Sequence, residues 1–479
     1  MLMEGTTVNI KKKCNIDIQI EGNSVPIDCL VLKDFKCYEL ILGMDFIQKV
    51  GGVYTNGQDV QLCWKKFYCN TIKESLQDKC EDVLKIDDVD FSAVFMDNKW
   101  VVDWNWCENE PELNGASLYK IPVTAYDKFD AEIQKWIENG WLKPYSGDIK
   151  VTLPLMAVIQ QNKDKVRPVL DYRRFNSFLS PHTAESDVCS DKLREWRKLG
   201  ENVRLLDLKD AYLQIHVHPS KWKFQVVKYK GQTFCLTRLG FGISIAPKIM
   251  TAIVKKVLAV NPDIEQGTDS YIDDIIVNEN VVDAGKVKDV LSEFGLKSKE
   301  IENLEGTRVL GLRLSKRKFG LPLEWNRDNK INLEASYNEM SKRDLFSFCG
   351  KLIGHFPIAG WLRPACSYIK RLCNDIDWND KLSENVKECL KDIIEGVKKS
   401  DPVKGHWEIS NSKVGNVWCD ASSLAVGCCV EIGGKMVEDA SWIRKQNDSG
   451  HINLAELDAV VKGVSLAIKY GLEKHSDYD

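Results

Sequence analysis

Long apolar runs, dense cysteines and an excess of one charge sign are all missing from this sequence. The chain has 479 residues, of which 44% are hydrophobic and 28% are charged, and its formal net charge is −4. Its longest apolar stretch, Val151–Ile159, has the length of a strand and falls short of the roughly 18 residues that a membrane-spanning helix needs. The polar segment 1–22 carries Lys11, Lys12 and Lys13, which is not the pattern of a signal peptide. We therefore expect no membrane partner.

Sixteen cysteines in 479 residues are too few for a small disulfide scaffold. They form no paired Cys-x-x-Cys pattern, so we infer no zinc site. His216 and His218 alternate on a predicted strand, where a solvated strand face is favoured over a metal pair. The composition is that of an intracellular globular protein with reduced thiols.

The near-neutral net charge excludes a protein coated in positive charge, but it leaves room for a local basic groove. Residues 191–230 contain ten Lys or Arg and five Asp or Glu, and residues 161–175 contain five and two. Such windows often form ordinary solvated faces. A nucleic-acid groove is the alternative interpretation.

Apolar periodicity predicts a chain of mixed α and β structure. Residues 1–62 alternate as strands, whereas residues 63–118 are mixed and acidic and are interpreted as a linker. Strands and helices alternate from Val151 to Lys316, helices dominate residues 341–398, and strands return at residues 415–440. This mixture predicts an α+β fold.

Four helices stand out by their 3.6-residue period. They are predicted over Asp127–Gly140, Ile245–Val260, Ala284–Phe294 and Ile452–Tyr470. The predicted buried face of the last helix consists of large apolar residues at helical spacing: Leu454, Leu457, Val461, Val464 and Ile468.

Two aspartate motifs carry the chemical signal. Tyr271-Ile-Asp-Asp274 precedes three β-branched residues, which fits a tight hairpin with both carboxylates at its tip. Asp207 lies inside an apolar strand, where a carboxylate is unfavourable without a partner. Like charges that are buried together need cations, and Mg²⁺ prefers such oxygen ligands. Asp207, Asp273 and Asp274 therefore predict a two-metal catalytic site, with a solvated turn as the alternative.

These motifs resemble the palm of reverse transcriptases, and the resemblance runs from about Tyr119 to Asn374. It implies two Mg²⁺ or Mn²⁺ ions at Asp207, Asp273 and Asp274, which would activate the primer hydroxyl and hold the triphosphate. It also implies an RNA template, a DNA primer–template, an RNA–DNA hybrid and deoxynucleoside triphosphates as partners.

Further motifs resemble the nucleotide site of that family. Lys163–Arg173 resembles the fingers strand that covers the triphosphate, with Lys163 as an alternative to Lys165. Related long-terminal-repeat elements usually have Pro-Phe-Gly where this chain has Gly240-Phe-Gly242, and Tyr212 matches the residue that rejects a ribose 2′-hydroxyl. The resemblance implies nucleotide contacts at Lys165, Arg167, Asp210, Ala211, Tyr212, Phe241 and Gly242.

The C-terminal part resembles the beginning of a ribonuclease H domain. Asn416–Ser422 matches its first strand, with Asp420 as a metal ligand, and Leu454–Ala459 matches its first helix, with Glu456 as the second ligand. Two surface acids are the alternative. The resemblance implies further aspartates on a later strand, and we expect the chain to end, at Asp479, before that strand can form. Asp477 and Asp479 lie on a polar tail and are not expected to substitute, so we expect little or no nuclease activity.

The N-terminal part resembles the end of a retroelement aspartic protease, through Ile41–Phe46. The Asp-Ser-Gly at Asp448–Gly450 has the polar neighbours of a loop and is rejected as a catalytic motif. Asp45 is therefore interpreted as structural, and the protease part as an inactive remnant.

Together the motifs resemble the Pol polyprotein of a Gypsy-like long-terminal-repeat retrotransposon, with an α+β right-hand polymerase at its centre. The predicted domains are a protease part at 1–62, a linker at 63–118, fingers and palm at 119–325, a helical thumb or connection at 326–410, and a ribonuclease H-like part at 411–479. The cytoplasm is the expected location, with a virus-like particle or the nucleus as alternatives, and a Pol dimer is left open. The rival functions are an RNA-templated RNA polymerase and a decayed or domesticated element that binds nucleic acid or a partner without catalysis.

Overall fold

The structure is a computed structural model that describes most of the chain. The described residues are 12–20, 23–31, 53–56, 59–62, 84–113, 119–160, 165–181, 188–315, 322–327, 333, 339–445, 450–472 and 474–476. They belong to two units, residues 1–81 and residues 82–479. Ile41–Phe46 with Asp45, and also Lys163, lie outside the described residues.

The first unit contains two strand pairs. Strand β1 (Lys12–Ile20) pairs antiparallel with β2 (Asn23–Val31). Strand β3 (Val53–Asn56) pairs antiparallel with β4 (Asp59–Leu62). The polar–apolar alternation of residues 15–20 predicts the first of these strands.

The second unit mixes strands and helices. Its strands are β5 (Lys85–Asp87), β6 (Phe91–Met96), β7 (Lys99–Trp104), β8 (Leu142–Pro144), β9 (Leu155–Gln160), β10 (Lys165–Leu170), β11 (Val203–Asp207), β12 (His216–Val217), β13 (Val226–Tyr229), β14 (Gln232–Leu236), β15 (Thr268–Tyr271), β16 (Asp274–Asn278), β17 (Glu302–Asn303), β18 (Arg308–Val309), β19 (Leu312–Leu314), β20 (Glu324–Arg327), β21 (Lys404–His406), β22 (Val414–Ala421), β23 (Ala425–Ile432), β24 (Lys435–Ile443) and β25 (Lys474–Ser476). Its helices are α1 (Tyr126–Glu138), α2 (Arg173–Asn176), α3 (Val188–Lys198), α4 (Ala211–Gln214), α5 (Ala246–Leu258), α6 (Pro262–Gly267), α7 (Ala284–Glu293), α8 (Lys342–Ile353), α9 (Leu362–Arg371), α10 (Glu384–Lys399) and α11 (Ile452–Lys469). No helix in the described ranges is long and apolar enough to cross a membrane.

A four-stranded antiparallel sheet with the order β15-β16-β11-β17 lies between two hydrophobic cores. Ile275 and Val277 of β16 belong to one core, and Ile276 between them belongs to the other. Successive side chains of a strand point to opposite faces, so a strand covered on both sides reads as an unbroken apolar run. This burial fixes the two central strands, so the end of β11 and the beginning of β16, which carry aspartates, lie at the same end of the sheet.

Residues 84–113 differ from the linker expected there. Strands β5 to β7 form a sheet with β12 in the order β12-β7-β6-β5. Trp100, Val102 and Trp104 of β7 are buried in the same core as the helix residue Phe129. Trp100 also donates from Nε1 to the backbone oxygen of Phe294 at 3.1 Å. The period of two is present in β7, but charged residues between the tryptophans and around the strand obscure it.

Helices α8, α9 and α10 surround the second core together with the sheet β18-β19-β20-β21. Trp325 of β20 and Trp407, which follows β21, are fully buried there. Helix α8 begins at a capping box in which Ser341 and Asp344 satisfy each other's backbone N–H groups. The predicted helical character of residues 341–398 agrees with these three helices.

The last sheet has the order β24-β23-β22-β25 and is covered on one face by α11. Strand β25 pairs in parallel with β22, at Val414–Lys474 and two further positions. The expectation that no strand forms after α11 is therefore wrong. Lys474–Ser476 is polar and shows no strand period, yet its backbone pairs with β22. Asp477 and Asp479 lie outside the described residues.

Helix α11 also packs through a different face from the one predicted. Leu454, Leu457 and Val461 are 63%, 60% and 56% exposed. The buried residues are instead three small ones at four-residue spacing, Ala455, Ala459 and Gly463. Leu466 and Ala467, near the end of the helix, are also buried. The helix lies so close to β22 that a Cβ on Gly463 would be 2.5 Å from the Cys419 Sγ.

Candidate functional site

A tight hairpin between β15 and β16 carries two of the three predicted carboxylates. Tyr271 pairs with Asp274, so Ile272 and Asp273 form its two-residue loop. Ile272 has a φ of 58°, a left-handed conformation that is rare for a β-branched residue. Such strain persists where the surrounding structure fixes the backbone, and here the paired strands on both sides do so. The loop therefore holds the Asp273 carboxylate at the edge of the sheet.

The third carboxylate lies on β11, the strand that pairs with β16 of the hairpin. Asp207 ends β11, and its Cα partner in β16 is Asp274. Lys299, from the segment after α7, places Nζ 2.5 Å from the Asp207 Oδ2. Its backbone N–H also donates to the Asp207 backbone oxygen at 2.8 Å. The structure thus brings Asp207, Asp273 and Asp274 together and adds Lys299, which the sequence analysis did not single out.

The three carboxylates repel one another in a partly buried setting. Burial, followed by the charges of Asp273 and Asp207, raises the pKa of Asp274 from its ordinary 3.8 to about 6. Burial, and then the charge of Asp207, also raises the pKa of Asp273. The ammonium group of Lys299 opposes both shifts. A cluster of this kind carries more negative charge than its surroundings balance, which favours the binding of a divalent cation.

The carboxylates fit a hard cation by their chemistry, but they are not arranged as a finished coordination shell. Within the described ranges, no three His, Cys, Asp or Glu side chains are close enough to hold one metal ion. Lys299 occupies one oxygen of Asp207, and mutual repulsion separates carboxylates that have no cation between them. Mg²⁺ or Mn²⁺ at this site remains a proposal, in which the ligands would draw together on binding.

A cavity of about 680 Å³ opens beside these groups. Asp207, Asp274 and Lys299 line one side of it. Arg308, on β18, and His355, shortly after α8, also line it. Its volume lies within the range of small-ligand sites, so the carboxylates face a space that a substrate can enter.

Tyr212 and Phe241, two of the predicted nucleotide contacts, lie together. Their ring centroids are 5.0 Å apart and the ring planes are nearly perpendicular. Burial, followed by the negative charge of Asp273, raises the pKa of the Tyr212 hydroxyl above its ordinary range. Tyr212 therefore presents a neutral hydroxyl and an aromatic edge close to the carboxylates.

The loop around Gly242 is held by Asn176, which the sequence analysis missed. Asn176 donates from Nδ2 to the Gly242 oxygen at 2.9 Å, and its Oδ1 accepts from the Ser244 N–H at 3.0 Å. Gly242 has a φ of 102°, which glycine adopts without strain. A Cβ at Gly240 would lie 2.1 Å from the hydroxyl oxygen of buried Tyr172. That close approach leaves no room for a side chain at position 240.

The other predicted nucleotide contacts lie on two elements. Lys165 and Arg167 are exposed on the same face of β10, since alternate residues of a strand share a face. Asp210 precedes α4 with a φ of 50°, and Ala211 is buried at the start of that helix. Lys165 and Asp210 line one cavity, so the structure groups these two.

Asp420 and Glu456, the predicted nuclease ligands, are both exposed. Val417 and Cys419 of β22 pack toward α11, so the alternation of the strand directs Asp420 to the other face. Across the described part of the chain, no hydrogen bond or ion pair joins Asp420 to Glu456, and neither belongs to a metal-binding cluster. Their role as ligands remains a prediction.

Comparison with known proteins gives three kinds of similarity. Residues 341–399 match a family described as a domain of unknown function, DUF7047. The uncharacterized protein K02A2.6 of Caenorhabditis elegans is 24% identical over 204 residues, covering 40% of this chain and 15% of that protein. The Pro-Pol polyprotein of simian foamy virus type 3 (strain LK3) is 28% identical over 166 residues, covering 33% of this chain and 14% of that protein. The chain thus spans only a small part of the length of these relatives.

Solved structures of a foamy viral protease–reverse transcriptase have the same fold. One, in complex with double-stranded DNA, has a TM-score of 0.58 and 18% identity, and the match covers 77% of this chain and 76% of that chain. Another, with an RNA/DNA hybrid, has a TM-score of 0.56 and 17% identity, covering 76% and 49%. The mixed α/β, reverse transcriptase-like fold is therefore confirmed. The chain is similar to Pol proteins in general, and nothing in these matches favours a Gypsy-type element.

Proposed function

We propose that this chain is an RNA- and DNA-templated DNA polymerase of a retroelement, related to the Pol proteins of Gypsy-type elements. The observation that carries the proposal is the register of the central sheet, which sets Asp207 opposite Asp274 with Asp273 in the adjoining loop. The site faces a cavity, and Tyr212 and Phe241 lie close by. The fold shared with protease–reverse transcriptases supports the same conclusion.

Asp207, Asp273 and Asp274 would hold two Mg²⁺ or Mn²⁺ ions. When bound, the ions supply a lower pKa for the primer 3′-hydroxyl and neutralise charge on the triphosphate and the leaving group. The carboxylates position the reacting groups, because the buried sheet fixes their backbone. Lys299 pairs with Asp207, and its ammonium group would lie beside the reacting phosphates.

The remaining residues select and orient the nucleotide. Tyr212 would exclude a ribose 2′-hydroxyl, and Phe241 supports its ring edge-on. Lys165 and Arg167 project from one face of β10, where they would pair with triphosphate oxygens. Asn176 fixes the loop that would lie against the base pair. The proposed partners are an RNA or DNA template, a DNA primer and deoxynucleoside triphosphates.

Primer extension on an RNA template tests the proposal. The full chain should extend a DNA primer with dNTPs in the presence of Mg²⁺. Asp273→Asn should lower the rate at least about 100-fold, because one of the carboxylates that would hold the metal ions is lost. Asp289→Asn, at an exposed position on α7, removes the same charge away from the site and should leave the rate unchanged.

Two outcomes would overturn the proposal. Faster incorporation of NTPs than of dNTPs would indicate an RNA-templated RNA polymerase instead. Tight binding of the primer–template without any incorporation would indicate an element that retains nucleic-acid binding and has lost catalysis. A gel-shift measurement beside the extension assay separates this case from a protein that fails to bind.

A further inference from the structure

A second cavity, of about 660 Å³, has a strongly basic lining. Six Lys or Arg side chains and one His line it, against the carboxylates of Glu132 and Asp210. Glu132 pairs with Lys135 at 2.8 Å, and Asp97, outside the lining, lies 3.7 Å from Lys99, so carboxylates balance two of the six. The lining therefore carries surplus positive charge in a space large enough for a small ligand.

Arg238 is a half-buried cation in this lining. Its guanidinium donates to the Thr237 Oγ1 at 2.7 Å, and no carboxylate of the described residues pairs with it. Burial lowers the pKa of Arg238 to about 10, which still leaves it charged at neutral pH. Burial, followed by the charges of Arg238 and Lys99, lowers the pKa of His216 to about 4. A partly buried charge that lacks a counter-charge is unfavourable, and an anion in the cavity would supply one.

Two further lysines are fixed on the rim by one side chain. Gln214 donates from Nε2 to the backbone oxygens of Lys209 and Lys297, at 2.6 and 2.9 Å. Its Oε1 accepts from the Lys297 N–H at 2.6 Å. The Lys209 N–H also donates to the Lys297 oxygen at 2.9 Å. The two lysine backbones are thus held side by side before any ligand binds, which reduces the entropy lost on binding.

The cavity adjoins the proposed nucleotide site. Lys165 and Asp210, both predicted nucleotide contacts, line it. The segments that carry Lys209 and Lys297 continue to Asp207 and Lys299, which line the cavity beside the carboxylates. The two cavities are therefore lined by the same two segments, and an anion that leaves the proposed reaction centre has the basic cavity beside it.

We propose that this second cavity binds inorganic pyrophosphate, with Arg238, Lys99 and Lys297 as its contacts. The choice of pyrophosphate rests on the proposed function. The primer 3′-hydroxyl gives its proton to solvent water, and its oxygen bonds to the α-phosphorus. The bond from the α-phosphorus to the α–β bridging oxygen breaks, and pyrophosphate leaves with that oxygen and the bonding electrons. Its two phosphate groups carry several negative charges, which match a lining with few carboxylates. The cavity would thus receive the product.

Calorimetric titration of the full chain with pyrophosphate, without nucleic acid and with EDTA present, tests the site itself. Lys297→Gln and Lys99→Gln should each weaken binding about tenfold, as expected when a charge-assisted contact is lost. Lys256→Gln, on the exposed side of α5, removes one charge elsewhere and should bind as the unaltered chain does. Neither tested lysine is fully buried, so folding should survive both substitutions.

Three results would overturn the inference. Equal pyrophosphate affinity in the Lys297→Gln, Lys99→Gln and Lys256→Gln variants would remove the cavity as the site. Loss of binding in Arg167→Gln, with the two cavity variants unaffected, would place pyrophosphate elsewhere. Binding of a single-stranded oligonucleotide that these lysines govern, with no pyrophosphate binding, would make the cavity a nucleic-acid site. Pyrophosphate binding as predicted, in a chain that extends no primer, would support the cavity and count against the proposed polymerase.

Discussion

Arg194 of α3 and Glu438 of β24 form a buried, bidentate ion pair across 244 positions of sequence. Arg194 Nε lies 2.7 Å from Glu438 Oε2, and Nη2 lies 2.7 Å from Oε1. The hydroxyl of buried Tyr470 donates to the same carboxylate at 2.5 Å. The Glu438 carboxylate holds the pKa of Arg194 above its ordinary range against the opposing effect of burial. The C-terminal sheet is thereby fixed to a helix that packs against the sheet of Asp207 and Asp274.

The next residue of β24 is attached to a different part of the fold. Asp439 accepts from the backbone N–H groups of Ala359 and Gly360, just before α9, at 3.0 and 2.6 Å. Its Oδ1 accepts from Arg363 Nε at 2.6 Å. Successive side chains of a strand point in opposite directions, so β24 can hold α3 with one residue and α9 with the next. The C-terminal sheet thus acts as a brace between two parts of the second unit.

Glu438→Ala should destabilise the protein by about 3 kcal/mol, because it leaves Arg194 partly buried without its main partner. Urea unfolding followed by tryptophan fluorescence measures the loss, and Glu388→Ala, at an exposed position on α10, is the matched control. The double variant Arg194→Met with Glu438→Leu should recover most of the stability, since apolar pairs often replace buried ion pairs without loss. Equal stability of Glu438→Ala and Glu388→Ala would contradict the brace.

Gly463→Ala should destabilise the C-terminal sheet by about 1–3 kcal/mol, the usual range for overpacking. The added Cβ would lie 2.5 Å from the Cys419 Sγ and 2.7 Å from Val417 Cγ1. Leu457→Gln, on the exposed face of α11, should change the free energy of unfolding by less than about 0.5 kcal/mol. Thermal unfolding of both variants checks the orientation of the helix, and the reverse order of effects would restore the face predicted from the sequence.

The sequence predicted the local elements well, because local periods determine them. The helices over Asp127–Gly140 and Ala284–Phe294, and the aspartate hairpin, agree with α1, α7 and β15–β16 within a few residues. The face of α11 was predicted wrongly because hydrophobicity ranks Leu457 above Gly463, whereas close packing on a sheet favours the smaller residue. The size of a side chain matters here more than its transfer free energy.

The missing parts of the site depend on contacts between distant residues. Lys299 meets Asp207 across 92 positions, and Asn176 meets the Gly242 loop across 66. Nothing in the polar sequence around either residue distinguishes it from a solvated side chain. Such partners become visible only when the sheet register is known.

The position of His216 predicts a pH dependence of stability. Burial, followed by the charges of Arg238, Lys99 and Lys143, lowers its pKa to about 4, against 6.5 ordinarily. Between these values the unfolded chain binds the proton more readily, so stability falls as the pH is lowered from 6.5 toward 4. The loss should be about 1–2 kcal/mol, because partial exposure screens the charges. His216→Gln should remove this part of the loss in urea unfolding measured from pH 4.5 to 7.5, and identical pH profiles would contradict the assignment.

Lys299→Gln should strengthen divalent-cation binding at the aspartate cluster. The ammonium group lies on an oxygen of Asp207 that a cation would need, and both side chains are substantially exposed. An exposed pair of this kind contributes up to about 1 kcal/mol, so its removal should tighten Mn²⁺ binding up to about fivefold. Electron paramagnetic resonance of free Mn²⁺ gives the affinity directly, with Lys256→Gln as the charge-matched control and Asp273→Asn as the variant that should bind more weakly. If Lys299→Gln instead weakened binding as much as Asp273→Asn, the lysine would support the ligands rather than compete with the cation.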